Sequence, residues 1–184
     1  MGPPIVPAPR IILGIDPGLQ AMGWGVIEVI GSGLKALGNG TITSSAKKTL
    51  GARLVELEQG LDEVMAAYSP DMAAVETAFV ARDPAAALKL GQARAVALLV
   101  PARAGLEVAE YAPNQIKKTV VGAGHAGKQQ IQTMVQVLMP RCELDSEHSA
   151  DALAVAICHA HRGSSGSRLA EAVEAADGAR GVSP

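Results

Sequence analysis

Large rings are almost missing from this chain, which has one Phe, one Trp and two Tyr in 184 residues. A core must then be assembled from many aliphatic contacts, and each ring that does occur needs a reason. Cysteine is scarce as well. Cys142 and Cys158 make neither a Cys-x-x-Cys pair nor a cluster with His, so a disulfide framework and a zinc module are excluded and two buried packing thiols are expected. No uninterrupted apolar run approaches the ~18–20 residues that span a bilayer. Residues 1–9 hold neither the basic nor the apolar stretch of a secretory signal. A reducing cytoplasm with no membrane partner is the expectation. A basic excess is also missing, since the net charge is −2. The usual global footprint of phosphate binding is therefore absent. Local basic points remain at Arg82, Lys89, Arg94, Lys117, Lys118 and Lys128, and acids gathered in one metal site would hide them in the sum.

What is present is an alternation of short apolar strands and Ala/Leu-rich helices, with length for one domain and a full core. Residues 10–16, 23–30 and 34–42 read as three strands, the last two joined across Gly31-Ser32-Gly33, and so as an opening antiparallel meander. Leu54, Leu57, Leu61, Val64 and Met65 place a helix over 50–68. Residues 72–76 and 106–111 are further strands. Helices are expected over 84–104 (bent near Pro101), 113–121, 128–139 and 147–161. This order defines an α/β class, a five-stranded mixed sheet flanked by helices. The domain spans 10–162, between a flexible extension (1–9) and a disordered tail (163–184) rich in Gly, Ser and Ala.

Three acids stand out. Asp16 ends a continuous apolar strand at Pro17-Gly18; the alternative is a plain turn-forming Asp-Pro-Gly. Glu76 ends a second such strand, with turn capping as its alternative. If these strands are parallel neighbours, both carboxylates lie at the sheet end where α/β sheets bind ligands. Asp151 opens a buried helical segment where an unpaired carboxylate would be costly, and His148 lies three residues before it on the same face. Glu147, four residues before Asp151, competes for a metal role. An oxygen-rich set with one imidazole suits Mg²⁺ or Mn²⁺, and two such ions can activate water and stabilise a leaving oxygen in phosphodiester cleavage.

Five segments in order, Ile-Leu-Gly-Ile-Asp16-Pro-Gly, Val-Glu76-Thr-Ala-Phe79, Ala-Leu-Lys89-Leu-Gly-Gln-Ala-Arg94, Tyr111-Ala-Pro-Asn-Gln-Ile-Lys117-Lys-Thr-Val-Val-Gly122 and His148-Ser-Ala-Asp151-Ala-Leu-Ala, resemble the RuvC family of Holliday junction resolvases from about Arg10 to His161. The resemblance implies a ribonuclease-H-like fold, a homodimer, and metal-dependent symmetric nicking of four-way DNA junctions. It also implies partnership with the RuvA–RuvB branch-migration complex. The family's acidic tetrad falls on Asp16, Glu76, His148 and Asp151, with His at a position that is Asp in many members. An imidazole there lowers the negative charge of the site and favours Mn²⁺. Phe79, by residue type a core aromatic, takes the family's wedge position at the crossover, where stacking on a base is worth ~1–3 kcal/mol. Arg82 follows it and suits a phosphate or base edge. Lysines matching Lys117 and Lys128 lie near the scissile phosphate in the family, and Lys118 is a neighbouring decoy.

Other signals are weaker. Gly122-Ala-Gly124-His-Ala-Gly127-Lys128 half-matches two nucleotide motifs, but a helix precedes it and Gln129 replaces the metal-binding hydroxyl; a phosphate held by glycine amides survives. His125 reads as a loop residue, and His159 and His161 cannot face one metal. Trp24 is expected against the sheet. An actin- or hexokinase-type phosphotransferase would need a second domain, a binding-only protein would lack an acid, and an RNA-directed nuclease leaves Phe79 and the Lys89–Arg94 helix unexplained. Symmetric cutting calls for two sites about a two-fold axis. The stripe Ala87, Leu88, Gly91, Ala95 and Leu98 is the candidate interface, unless it covers its own sheet.

Overall fold

The computed structural model describes residues 8–77 and 83–180, from 164 onward by backbone alone. Strands β1 (Arg10–Asp16), β2 (Ala21–Ile30) and β3 (Gly33–Thr43) form the meander. Helix α1 (Leu50–Tyr68) leads to β4 (Met72–Glu76), and α2 (Pro84–Arg103) to β5 (Val108–Tyr111). Helices α3 (Pro113–Val121), α4 (Lys128–Leu138) and α5 (Glu147–Arg180) complete the order. The sheet runs β3-β2-β1-β4-β5. β1 pairs antiparallel with β2 and parallel with β4, and β5 is parallel to β4. This is the expected five-stranded mixed sheet.

Side-chain alternation along the strands divides the core. Ile12, Ile27 and Ala74 meet α3, α4 and α5 on one face. Leu13, Ile15, Met22, Val26 and Val75 meet α1 and α2 on the other. Trp24 packs as expected, its ring 5.6 Å from that of Tyr68 and over Gly40. Both cysteines are free and buried. At the sheet's other end Asp71 clips β4 to β1: its Oδ2 accepts from Ile11 N at 2.7 Å and its own N–H donates to the Ile11 carbonyl at 2.8 Å.

Two features differ from the sequence reading. Helix α5 does not stop at His161 but continues to Arg180, because the Ala/Glu-rich run from Leu169 to Ala176 is strongly helix-forming. Helix α2 is also long and apolar enough, at a mean hydropathy of 1.2, to cross a membrane by length and composition. Its side chains place it instead on the domain: Ala93, Ala97 and Val100 are buried against the sheet and α1, and Arg94 pairs with Glu110 of β5.

Candidate active site

β1 and β4 run in parallel register, with Ile15 opposite Val75. Asp16 and Glu76, the next residues on each strand, therefore emerge side by side. Helix α5 crosses β1 and β2 at this end, and the strands make room for it. A Cβ on Gly23, the partner of Asp16 across β2, would fall on the His148 carbonyl oxygen. A Cβ on Gly25 would lie 2.7 Å from Leu153 Cγ, and one on Gly14 2.7 Å from Ala156 N. This glycine channel seats the helix on the sheet and brings His148 and Asp151 over Asp16. His148 Nδ1 lies 3.0 Å from Asp16 Oδ2; the carboxylate is 15 % exposed and the imidazole 46 %.

The helix start is pinned from the sheet edge. Asn39 Nδ2 donates to the Glu143 carbonyl at 2.9 Å, and Asn39 Oδ1 accepts from Asp145 N at 3.0 Å. Thr41 Oγ1 lies 2.6 Å from Ser146 Oγ, and that hydroxyl accepts the Ser149 N–H at 3.0 Å as the cap of α5. Asn39, Thr41 and the glycine channel were missed in the sequence. The available signal was glycine and asparagine inside strands, which such positions tolerate poorly without a cause.

Electrostatics make these acids a unit. Burial first, then the neighbouring Asp16 and Asp151 charges, push the Glu76 carboxyl up to about 8. Burial and then Asp16 push Asp151 up to about 6. Burial also raises Asp16, against the pull of His148 and of a hydrogen bond with Glu76. At neutral pH this favours a protonated Glu76 beside an ionised Asp16. Among the described residues no three His, Cys, Asp or Glu side chains close into a finished metal cage. The donor set nevertheless fits a hard divalent cation: three mutually repelling, partly buried carboxylates and one imidazole, whose mutual cost a 2+ charge removes.

Lys117 and Lys128 flank these acids. The Lys117 charge is felt at Glu76 and that of Lys128 at Asp16 and Asp151, while Lys118 is exposed. Glu147 turns to Lys128, its Oε2 2.9 Å from Nζ. The glycine segment joins α3 to α4, as expected, and the Gly127 N–H is already bonded to Gln130 Oε1 at 2.8 Å, leaving one amide fewer for a phosphate. His159 bonds Tyr111 Oη at 2.8 Å. Phe79, Arg82 and residues 1–7 lie outside the described residues.

A mixed sheet of this order, with acids ending the adjacent parallel strands β1 and β4 and a third on the helix laid across the sheet, defines a ribonuclease-H-like nuclease. The family model for the crossover junction endodeoxyribonuclease RuvC matches residues 12–159. The RuvC of Parvibaculum lavamentivorans is 62 % identical over 168 residues, 91 % of this chain and 96 % of its own. That of Brucella anthropi is 58 % identical over 150 residues, 82 % and 87 % of the two chains. The solved structure of T. thermophilus RuvC in complex with a Holliday junction substrate superposes with a TM-score of 0.80 at 32 % identity, covering 85 % of this chain and 96 % of that one. The chain belongs to the RuvC family of crossover junction endodeoxyribonucleases.

Proposed function

We propose that this chain resolves four-way DNA junctions in recombination and repair, cutting two strands symmetrically with water activated at Asp16, Glu76, His148 and Asp151. The observation that carries this is the meeting of three carboxylates and an imidazole at the shared end of β1 and β4, in a chain whose family is a junction endodeoxyribonuclease.

Use of a divalent metal is general to the family. The finer reading is two ions, Mg²⁺ or Mn²⁺, held by Asp16, Glu76, Asp151 and His148. Such ions supply an ionised water and Lewis-acid stabilisation of the leaving oxygen. The chain's own residues do the rest. Glu76 would release its proton to solvent where a cation's charge takes its place, and Asp16 holds the His148 ring in place. Lys117 and Lys128 take the phosphate oxygens as positioning contacts. Phe79 is the wedge that opens the crossover, with Arg82 on a neighbouring phosphate or base edge.

A homodimer presents two such sites to one junction. Its support here is the division of α2 into faces. Ala93, Ala97 and Val100 are buried. Ala87, Leu88, Gly91 and Ala95 lie exposed, Leu88 at 66 %. Leu98, the fifth residue of the stripe, is half-buried against the chain's own core, so the surface offered to a second copy is Ala87, Leu88, Gly91 and Ala95. The RuvA–RuvB complex is the proposed partner, the cytoplasm the proposed setting, and residues 10–162 the nuclease domain between appendages 1–9 and 163–184.

The deciding experiment is incubation with a mobile synthetic junction, with and without Mg²⁺ or Mn²⁺, read on a sequencing gel. Metal-dependent nicks at symmetric points are expected. Cleavage confined to an RNA-containing duplex, or none in either metal, would overturn the reading.

A further inference from the structure

Glu147 is the acid that the tetrad leaves over. Its place four residues before Asp151 invites a metal role, but the carboxylate is committed elsewhere. Its Oε2 lies 2.9 Å from Lys128 Nζ, with the two side chains 61 % and 66 % exposed. Glu147 therefore sits at the exposed rim of the site, paired with Lys128, although its charge still reaches Asp151.

An ion pair this exposed contributes little to folding, so its consequence lies in where it keeps the ammonium. Lys128 is the first residue of α4 and Glu147 the first of α5. A cation at a helix N-terminus faces the positive end of the dipole, whereas a carboxylate there is favoured. Lys128 is thus badly placed on its own helix and Glu147 well placed on its own. The pair ties the two helix starts together and holds the ammonium where Asp16 and Asp151 still feel its charge.

We propose that Glu147 is a positioning residue for Lys128, holding its ammonium at the rim of the acidic site and releasing it to an oxygen of the incoming scissile phosphate. This rests on the reading that Lys128 contacts that phosphate. Because the pair is weak, the exchange of carboxylate for phosphate costs little. Because it is formed beforehand, the long lysine stem is already ordered when DNA arrives.

The test is a double-mutant cycle on the full chain with a synthetic junction, measuring single-turnover cleavage, junction affinity and the metal concentration for half-maximal rate. Glu147→Ala should slow cleavage about three- to fivefold, the range an exposed pair can supply, with affinity undiminished and the metal midpoint unmoved. Glu147→Gln keeps an oxygen acceptor and should recover part of the rate. In a Lys128→Ala background, Glu147→Ala should change nothing further. A slow Lys128→Ala beside an unimpaired Glu147→Ala overturns this proposal alone, as do additive losses or a shifted metal midpoint. A Lys128→Ala variant that cuts at the full rate removes the reading of Lys128 itself, and the proposal with it.

Discussion

Glu76 carries the internal conflict of the site. Its carboxyl is buried beside two others and is pushed up to about 8, so the arrangement that suits a cation is unfavourable without one. A carboxyl raised in the folded state binds more protons folded than unfolded. The folded state is then relatively destabilised as pH rises from the ordinary carboxylate range near 4.5 to about 8. In chelator, Glu76→Gln should therefore melt higher than the parent at pH 8.5, by about 2–4 °C for each kcal/mol recovered, and the gap should close near pH 4.5. Saturating Mg²⁺ should stabilise the parent and not the variant. Thermal melts at both pH values check this; a gap independent of pH would assign the gain to packing. The same substitution, like Asp16→Asn and Asp151→Asn, should lower cleavage by about a thousandfold or more while leaving junction binding, since metal ligation supplies several kcal/mol at the transition state and phosphate contacts come from other groups. Near-normal nicking by any of the three in a gel assay would remove that residue from the site. His148→Asp should stay active and shift preference toward Mg²⁺. If it proves as inactive as His148→Ala in both metals, the imidazole is not exchanging for a ligand.

At the scale of elements, the site depends on how closely α5 lies on the sheet. A Cβ at position 23 falls on the His148 carbonyl oxygen, so Gly23→Ala must lift the first turn of α5 and carry His148 away from Asp16. Overpacking of this kind costs about 1–3 kcal/mol, which a domain with this core should survive. Circular dichroism should thus show a folded protein with a lowered Tm, while the gel shows cleavage lost. A variant that folds and cuts normally would mean that α5 finds another seat. Releasing the clamp by Asn39→Ala should act more mildly, costing about 1 kcal/mol for each lost hydrogen bond and slowing cleavage without weakening junction binding. These supports mark the limit of what the sequence made legible. Asp16 and Glu76 could be found because each ends a short apolar strand, but that β1 and β4 are parallel neighbours stood only as a condition until the register of the sheet supplied it. Asp151 and His148 could be found from one helix face. Gly23 and Asn39 offered only the oddity of their residue type inside a strand, since the reason for Gly23 lies in a helix that begins more than a hundred residues later in the chain and the partners of Asn39, Glu143 and Asp145, are equally remote. The full length of α5 was missed because Gly163 to Ser167 resembles a linker while the Ala/Glu run beyond it restores helix propensity.

For the whole molecule, the question is how one small domain makes two matched cuts. A monomer has one site and would have to release the junction and rebind it in the other orientation, so single nicks would accumulate. Two copies about a two-fold axis place two sites at once, and an isologous contact needs one self-complementary patch. Helix α2 supplies a candidate without disturbing the core. Its buried residues Ala93, Ala97 and Val100 face the sheet and α1, while a Cβ on Gly91 on the outer side would meet nothing within 4 Å. Small residues there let two helices approach closely, and Leu88 supplies apolar area that a monomer leaves in water. Ala95→Glu puts a charge into this patch from an exposed position, so folding should be spared and association should not. Light scattering at micromolar concentration should give twice the chain mass for the parent and the chain mass for the variant. On a junction, the variant should yield single nicks in excess of paired ones, with each nick still dependent on Asp16. A parent that scatters as a monomer yet cuts both strands together would remove the α2 interface and the symmetry argument at one stroke, and would direct attention to whichever other surface holds the junction between the two cuts.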